Sequence, residues 1–477
     1  MYFIHKQVIF WKITLSFAVL VCMSSCQVFL PDPPILPVSK CHNKPLACPP
    51  PYPCAPVDLP DICKPLNLAQ LVDLGLYNSP LTRQGWANSR VAAANLGQAN
   101  SAFFPDIAVT WTTTRSLPAE IPNTGAIAIP VTTYVPQLTV SYLLWDFGGR
   151  VGAMENARES LIAAGWNYSW TVQTVMFNVI QAYYNYLSAM ALLEADIQDM
   201  KDAEVAVLAA EAMFTSGVNT IVDVYQAKAQ YVNTEMTVVQ QRGAVETTRA
   251  TLAVALGLSP DTCLNITKPE HLPVERISCD IERMLAEAKC CRPDLEGLRA
   301  GIRAQEATIM QQYSALWPTI NGQFTGGRTY VHNDGHDNHD FSESLIVNIP
   351  IFSGFSTVNA IRQAEAQADS LIAGFKNQEL QALLTVVTNY FAVKTAIETF
   401  EYSKVYLKYA QEAFDAVLFG YRAGNKMIID VLNAETTLSN ARSSYIQSEF
   451  NWFTSIANLA YSRGVLISNE LKKEGLE

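Results

Sequence analysis

The chain has 477 residues, 49% of them hydrophobic and only 16% charged, against a usual charged share of about 25%. Such a composition suggests a protein that partly avoids water. Yet past the first 25 residues no apolar stretch comes near the roughly 18 residues of a spanning helix, which excludes a polytopic helical membrane protein. The net charge of −11 argues against nucleic acid as a partner, because a phosphate-binding surface is basic.

Residues 1–25 read as an export signal. Lys6 and Lys12 precede an apolar run from Ile13 to Met23, too short to cross a bilayer, and the small Ser24 and Ser25 lead into Cys26. Cys26 is the expected lipid-bearing N-terminus of the mature chain, with ordinary cleavage nearby as the plainer alternative. Residues 26–65 form a Pro-rich leader that cannot be a helix. In an oxidising compartment its Cys41, Cys48, Cys54 and Cys63 are expected in disulfides rather than on a metal, with three pairings open. Cys263, Cys279, Cys290 and Cys291 form a second cluster with the same expectation.

The rest of the chain is a duplication, with one copy over 66–257, a second over 292–466, an inter-repeat segment at 258–291 and a tail at 467–477. Matches recur in the same order at an offset of roughly 205 to 213. Ser79-Pro80-Leu81 answers Arg292-Pro293-Asp294, and Phe104-Pro105-Asp106 answers Trp317-Pro318-Thr319. Trp145-Asp146-Phe147-Gly148-Gly149 answers Pro350-Ile351-Phe352-Ser353-Gly354, and Tyr183 answers Tyr390. The longest match pairs Gly217 to Ala227 with Gly424 to Ala434, and Gly257 and Gly464 close the two copies.

Each copy follows one plan. A helix (Leu81 to Phe103; Leu295 to Trp317) is stopped by Pro105 or Pro318, since proline disfavours a helical residue before it. A hairpin follows at 104–147 or 319–352. Ile107, Val109 and Trp111 alternate with Ala108, Thr110 and Thr112, and Leu138, Val140 and Tyr142 alternate with Thr139 and Ser141, as in strands with unlike surroundings on their two faces. In the second copy the strands are expected over Thr319 to Tyr330 and Phe341 to Phe352. A Pro-free run then extends from Arg150 to Ser216, or from Ser356 to Ala423, long enough as one helix to reach about 100 Å. Gly217 and Gly424 are the expected C-cap glycines, and return helices run to about Ala255 and Tyr461. Small residues such as Ala203, Ala206, Ala209, Ala210, Ala212, Ala364, Ala366 and Ala368 suit a layered coiled-coil wall.

Four strands cannot close a barrel, and open edges are not tolerated in lipid, so other copies of the chain must complete it. Three chains would supply twelve strands, within the range of transmembrane barrels.

These residues resemble the TolC-like outer membrane factors, the exit ducts of efflux pumps and type I secretion, over roughly Leu66 to Leu466. The most specific marks are the paired tips at Gly217 to Gln226 and Gly424 to Asn433. The resemblance implies a mainly α chain with a transmembrane β-barrel contribution: a long α-helical coiled-coil barrel plus four strands per chain, closing as a homotrimer with a twelve-stranded barrel in the outer membrane. It implies a periplasmic adaptor, docking at the tips Gly217 and Gly424, and an inner-membrane transporter as partners. It also implies a channel gate. Asp430 matches the acid that forms a ring across three chains, and Asn433 stands where a second acid occurs, leaving a single ring. Tyr421 and Lys426 match residues that link neighbouring helices, and Asp223 matches an acidic partner from the first copy. Such a ring would repel itself and favour cations. The plainer reading is that Asp223 and Asp430 merely begin the return helices, where the helix dipole favours a carboxylate.

His332, His336 and His339 with Asp334, Asp337 and Asp340 crowd the second hairpin connection. They read as solvated turn chemistry rather than a metal site. Trp145, Tyr142, Trp317 and Tyr330 lie near strand ends and suit either aromatic girdles or packing. The sequence holds no phosphate-binding Gly-rich loop with a Lys, no His-Glu-x-x-His and no Gly-x-Ser-x-Gly, so no enzyme activity and no cofactor are expected. The expected function is a passive outer membrane exit duct gated at its periplasmic tips. A trimeric structural or adhesive envelope spacer is the alternative.

Overall fold

A computed structural model describes residues 65–117, 130–267, 280–332 and 337–466. The signal 1–25, Cys26, the leader with Cys41, Cys48, Cys54 and Cys63, Cys279, Asp334, His336 and the tail 467–477 lie outside the described residues.

In chain order the elements are α1 (Leu68–Asn78), α2 (Pro80–Ser101), β1 (Asp106–Ser116), β2 (Val131–Trp145), α3 (Gly149–Thr215), α4 (Ile221–Ala255), α5 (Ile281–Cys291), α6 (Pro293–Ser314), β3 (Thr319–Val331), β4 (Asp337–Asn348), α7 (Ser356–Arg422) and α8 (Ile428–Arg463). The second copy repeats the first element for element. Helix α5 occupies the place of α1, so part of the stretch assigned between the copies belongs to the repeat. Pro80 and Pro293 each open a helix, where the missing N–H costs nothing and the fixed φ already suits the turn. Helices α3 and α7 are each 67 residues long.

Backbone conformation refines the repeat. The positive-φ pair at the first strand-to-helix junction is Phe147 (φ 50) and Gly148 (φ 97); at the second it is Gly354 (φ 62) and Phe355 (φ 65). Matching by letters aligns Gly149 with Gly354. Matching by conformation aligns Phe147-Gly148 with Gly354-Phe355, the same spacing that separates the tip glycines. The junction needs two left-handed residues, and only one of them in each copy is glycine.

Contacts divide the described chain into two compact units. The first is built on Ser89–Leu161 and Ala307–Ala364. Its strands form one antiparallel sheet in the order β1-β2-β3-β4, with β2 and β3 joining the two repeats. The register sorts side chains by face. Ile107 lies opposite Val140, which lies opposite Phe324; Val109, Leu138, Gly326 and Phe341 form the next row. On the other face Asp106, Ser141, Gln323 and Ser344 align, followed by Ala108, Thr139, Thr325 and Ser342. Glu343, opposite Phe324, and Arg328, opposite His339 two positions along β3 from Gly326, are charged members of this mainly apolar face. Strand β4 begins earlier than the sequence suggests, at Asp337, so His339 and Asp340 pair with Arg328 and Gly327 instead of lying in a loop. It ends at Asn348, because Pro350 lacks the N–H that would continue the ladder. At the junction Arg150 bonds its own N–H to Asp146 Oδ2 (2.6 Å) and stacks on Phe103, while Phe147 stacks on Trp317 at 5.5 Å.

The second unit is helical and holds Ile162–Glu306, Glu365–Glu477 and the Leu36–Asn88 segment, as far as these are described. Asn67 and Gln70 cap α1 reciprocally, the arrangement that satisfies two otherwise free N–H groups. Leu71, Leu74, Val179, Tyr183, Leu187, Leu252 and Trp452 build one core, beside a parallel bridge between Leu66 and Ile266. Gly257 and Gly464 abut the chain just past α1 and α5; a Cβ would lie 2.8 Å from Asn78 or 2.9 Å from Arg292. Buried Arg292 bonds Asp294 and the Ser462 carbonyl and stacks on Trp170. Ala203, Ala206, Ala209, Ala210, Ala364 and Ala368 are buried in helix seams, whereas Ala212 and Ala366 are exposed. Cys291 is disulfide-bonded. Cys263 and Cys290, expected in disulfides, are free and exposed; Cys290 points about 100° around the helix from Cys291.

One expectation was too strict. By length and composition alone, an 18-residue window of α7 is apolar enough to cross a membrane, with scattered polar residues breaking the run.

Candidate channel gate at the helical tips

The α3–α4 and α7–α8 turns are built identically. Thr215 and Arg422 end their helices, and Gly217 and Gly424 follow at φ 77. The amide of Val218 bonds the Met213 carbonyl (3.0 Å) and that of Asn425 bonds the Gly420 carbonyl (2.9 Å), closing the same left-handed cap. A left-handed residue is costly with a Cβ, which is why glycine recurs at both tips.

Asp223 and Asp430 then fall in the first turns of α4 and α8. Asp430 Oδ2 accepts the Met427 N–H at 3.2 Å. Within one chain the carboxylate therefore acts as a cap, yet it is only half-buried and keeps capacity for other partners. Asp223 receives a long 3.5 Å bond from Thr220.

Tyr421 is fully buried and accepts a 2.9 Å bond from the Asn219 amide, joining the two tips across the repeat. Burial raises its hydroxyl pKa and the charge of Asp223 adds to this, while the Asn219 bond opposes it. Asp223 is thus an electrostatic neighbour of Tyr421, and Asn219 makes the hydrogen bond. Repeat alignment would have pointed to Asn219, because it occupies the first-copy position of Lys426. Lys426 itself is exposed, its stem lying over Gly420. Asn433 is exposed one turn beyond Asp430. Around the two turns Val218, Val222, Tyr225, Phe419 and Met427 are exposed, an apolar surface of the kind that marks contact with other chains.

Ala206, Ala210, Val224, Ala227, Phe414, Tyr421, Ile428, Val431 and Leu438 pack the interior behind the tips. Above it lies a polar layer that sequence reading missed. Arg442 of α8 bonds Asp199 and Asp202 of α3, the latter at 2.6 Å, and Gln411 of α7 at 3.0 Å.

Comparison with known proteins agrees with this geometry. The outer membrane efflux protein family matches over residues 71–258 and 284–465, one match for each copy of the repeat. Protein CyaE of Bordetella pertussis is 27% identical over 399 residues, covering 83% of each chain. Outer membrane protein TolC of Escherichia coli is 23% identical over 424 residues, covering 85% of this chain and 83% of its own. The CmeC outer membrane channel of Campylobacter jejuni has the same fold, with a TM-score of 0.72 at 18% identity over 86% of this chain and 89% of that one.

Proposed function

The chain belongs to the outer membrane efflux protein family, and from that premise we propose that it is the passive exit duct of an efflux or secretion assembly, completed by three copies and gated at its tips. The sheet carries this reading. Its rows are mainly apolar on one face and mainly polar on the other, and among the described residues β1 and β4 each pair on one side only. Lipid tolerates no open edge, so the sheet closes with other copies, and three give twelve strands. The apolar rows then meet lipid, and the Ser, Thr, Gln and Asp rows line a wet lumen.

In this reading the helical unit extends into the periplasm. Asp430 from three chains forms a single acidic ring, with Asn433 leaving no second one, and favours cations at the constriction. Lys426 reaches a neighbouring chain, where an ammonium supplies charge without bidentate geometry. A periplasmic adaptor docks on the apolar surface around Gly217 and Gly424 and links the duct to an inner-membrane transporter, which supplies the energy. Cys26 carries the lipid anchor.

Conductance tests the reading. Purified protein in a planar bilayer is expected to pass small, cation-selective currents that increase in Asp430→Ala. Silence of both forms would sink the duct in favour of a spacer.

A further inference from the structure

We propose that Glu435 and Arg442 of α8, set against Asp199 and Asp202 of α3, form a proton-operated latch that holds the gate-bearing helix in its packed position. The inference rests on reading the tip as a gate, because α8 also carries Asp430.

Asp199 and Asp202 share one face of α3, three positions apart, and Glu435 and Arg442 share one face of α8, seven apart. Arg442 holds both aspartates and the Gln411 amide oxygen, so its guanidinium joins α3, α7 and α8, while Gln230 of α4 reaches Glu435. Glu435 is 2% exposed and Asp199 4%. Gln230 gives Glu435 Oε1 only a long 3.5 Å bond, and Glu435 Oε2 and Asp199 Oδ2 have no hydrogen-bond partner.

The charges do not balance. Facing Glu435 are Asp199 and Asp202 from α3, with Asp196 a turn away; α4 and α7 present the neutral Gln230 and Gln411, and among the described residues Arg442 is the cation bonded to the cluster, with Lys201 exposed at its edge. A guanidinium already shared by two carboxylates cannot also compensate a third that is buried. Glu435 therefore packs comfortably when protonated and poorly when ionised. Burial drives its carboxyl up, Asp199 and Asp202 add to this and Gln230 opposes it, leaving it at about 7. Asp196 is likewise raised, to about 6, by burial and then by Asp199. The first copy lacks the device. Its equivalent positions, Lys228 and Glu235, carry the opposite charges and are exposed, with Lys228 paired to Glu211.

The sign follows from proton linkage. The packed state binds the Glu435 proton more tightly than a loosened, hydrated one. Packing is therefore favoured at low pH, weakens as pH rises from about 4.5 to about 7 and is constant above that. A carboxyl moved from 4.5 to about 7 changes the packed-to-loose ratio by at most about 300-fold per chain. Latched in mild acid and slack at neutral pH, α8 would let the tip open more readily as pH rises.

The test is the conductance of the reconstituted wild-type protein, Glu435→Gln and Asp430→Asn between pH 5 and 7.5, with melting temperatures of all three over the same range. Open-state current should rise at least about tenfold across the range in wild type and in Asp430→Asn. In Glu435→Gln, whose amide mimics the protonated acid, it should stay at the acid level. A step that persists in Glu435→Gln, or one lost only in Asp430→Asn, would overturn the latch while leaving the duct intact. If every form is silent, the duct reading fails, and melting decides the proton site: the wild-type melting temperature should fall relative to Glu435→Gln from pH 5 to 7.5, and parallel curves would overturn it.

Discussion

Asn219 and Tyr421, one on the α3–α4 turn and the other at the end of α7, are joined by a 2.9 Å side-chain hydrogen bond. The bond ties one repeat copy to the other at the position where the proposed gate must move. Tyr421 lies wholly inside, so the loss of its hydroxyl cannot be made good by water without loosening the surrounding apolar cluster.

Tyr421→Phe keeps the ring and removes the acceptor. A neutral hydrogen bond contributes about 1 kcal/mol, which corresponds to roughly a fivefold shift toward the loosened tip. Bilayer recordings should show that increase in open events, and Asn219→Ala should match it. If the two changes together do no more than either alone, the bond is their shared cause; additive effects would show that it is not.

Asp430 has two roles that one substitution can separate. Asp430→Asn keeps an oxygen able to accept the Met427 N–H but removes the charge. Melting should therefore change little, while the reversal potential in a salt gradient moves toward zero as cation preference fades. Asp430→Ala loses the cap as well, at a cost of about 1 kcal/mol. Unchanged selectivity in Asp430→Asn would remove Asp430 from the constriction.

The duplicated architecture was legible because its punctuation is strong. Pro105, Pro318, Gly217 and Gly424 sit at element ends for steric reasons that act locally, and the alternation in β1 and β2 declares two unlike faces. What escaped reading depends on partners far away in sequence. Asp199 and Arg442 are 243 positions apart, and nothing around either signals a buried charge. The onset of β4 at Asp337 escaped for a similar reason: pairing with β3 overrides the turn preference of Asn338 and Asp340. Helix α5 was hidden by its length, since 11 residues give few turns of periodicity, although its apolar residues cluster on one face.

At the tips, glycine is needed for conformation and not for space. A Cβ on Gly217 or Gly424 would meet nothing within 4 Å, yet φ is 77 at each. Gly424→Ala should therefore cost about 1 kcal/mol through backbone strain alone, and Gly424→Asn distinctly less. Gly464→Ala, where backbone stands 2.9 Å from the new atom, should cost more than either. Melting curves of the three variants give the order, and an equal loss in Gly424→Ala and Gly424→Asn would contradict the strain argument.

Glu287 joins α5 to α8 through a 2.6 Å ion pair with Arg463 and also holds Arg283 at 2.9 Å. Burial alone would raise its carboxyl, but the hydrogen bonds and charges of Arg463 and Arg283 prevail and hold it below the usual 4.5. A depressed carboxyl stabilises the folded state above its unfolded value and loses that contribution as pH falls through the lowered one. Glu287→Gln should therefore lower the melting temperature at pH 7, where it leaves Arg463 buried without its partner, a change that typically costs about 3 kcal/mol. Arg463 is 6% exposed, so water cannot replace the carboxylate. As pH falls below about 4.5, the wild-type melting temperature should descend toward that of Glu287→Gln, because protonation removes the same charge. A gap between the two proteins that stayed constant from pH 7 to pH 3 would mean that Glu287 contributes by shape and not by charge.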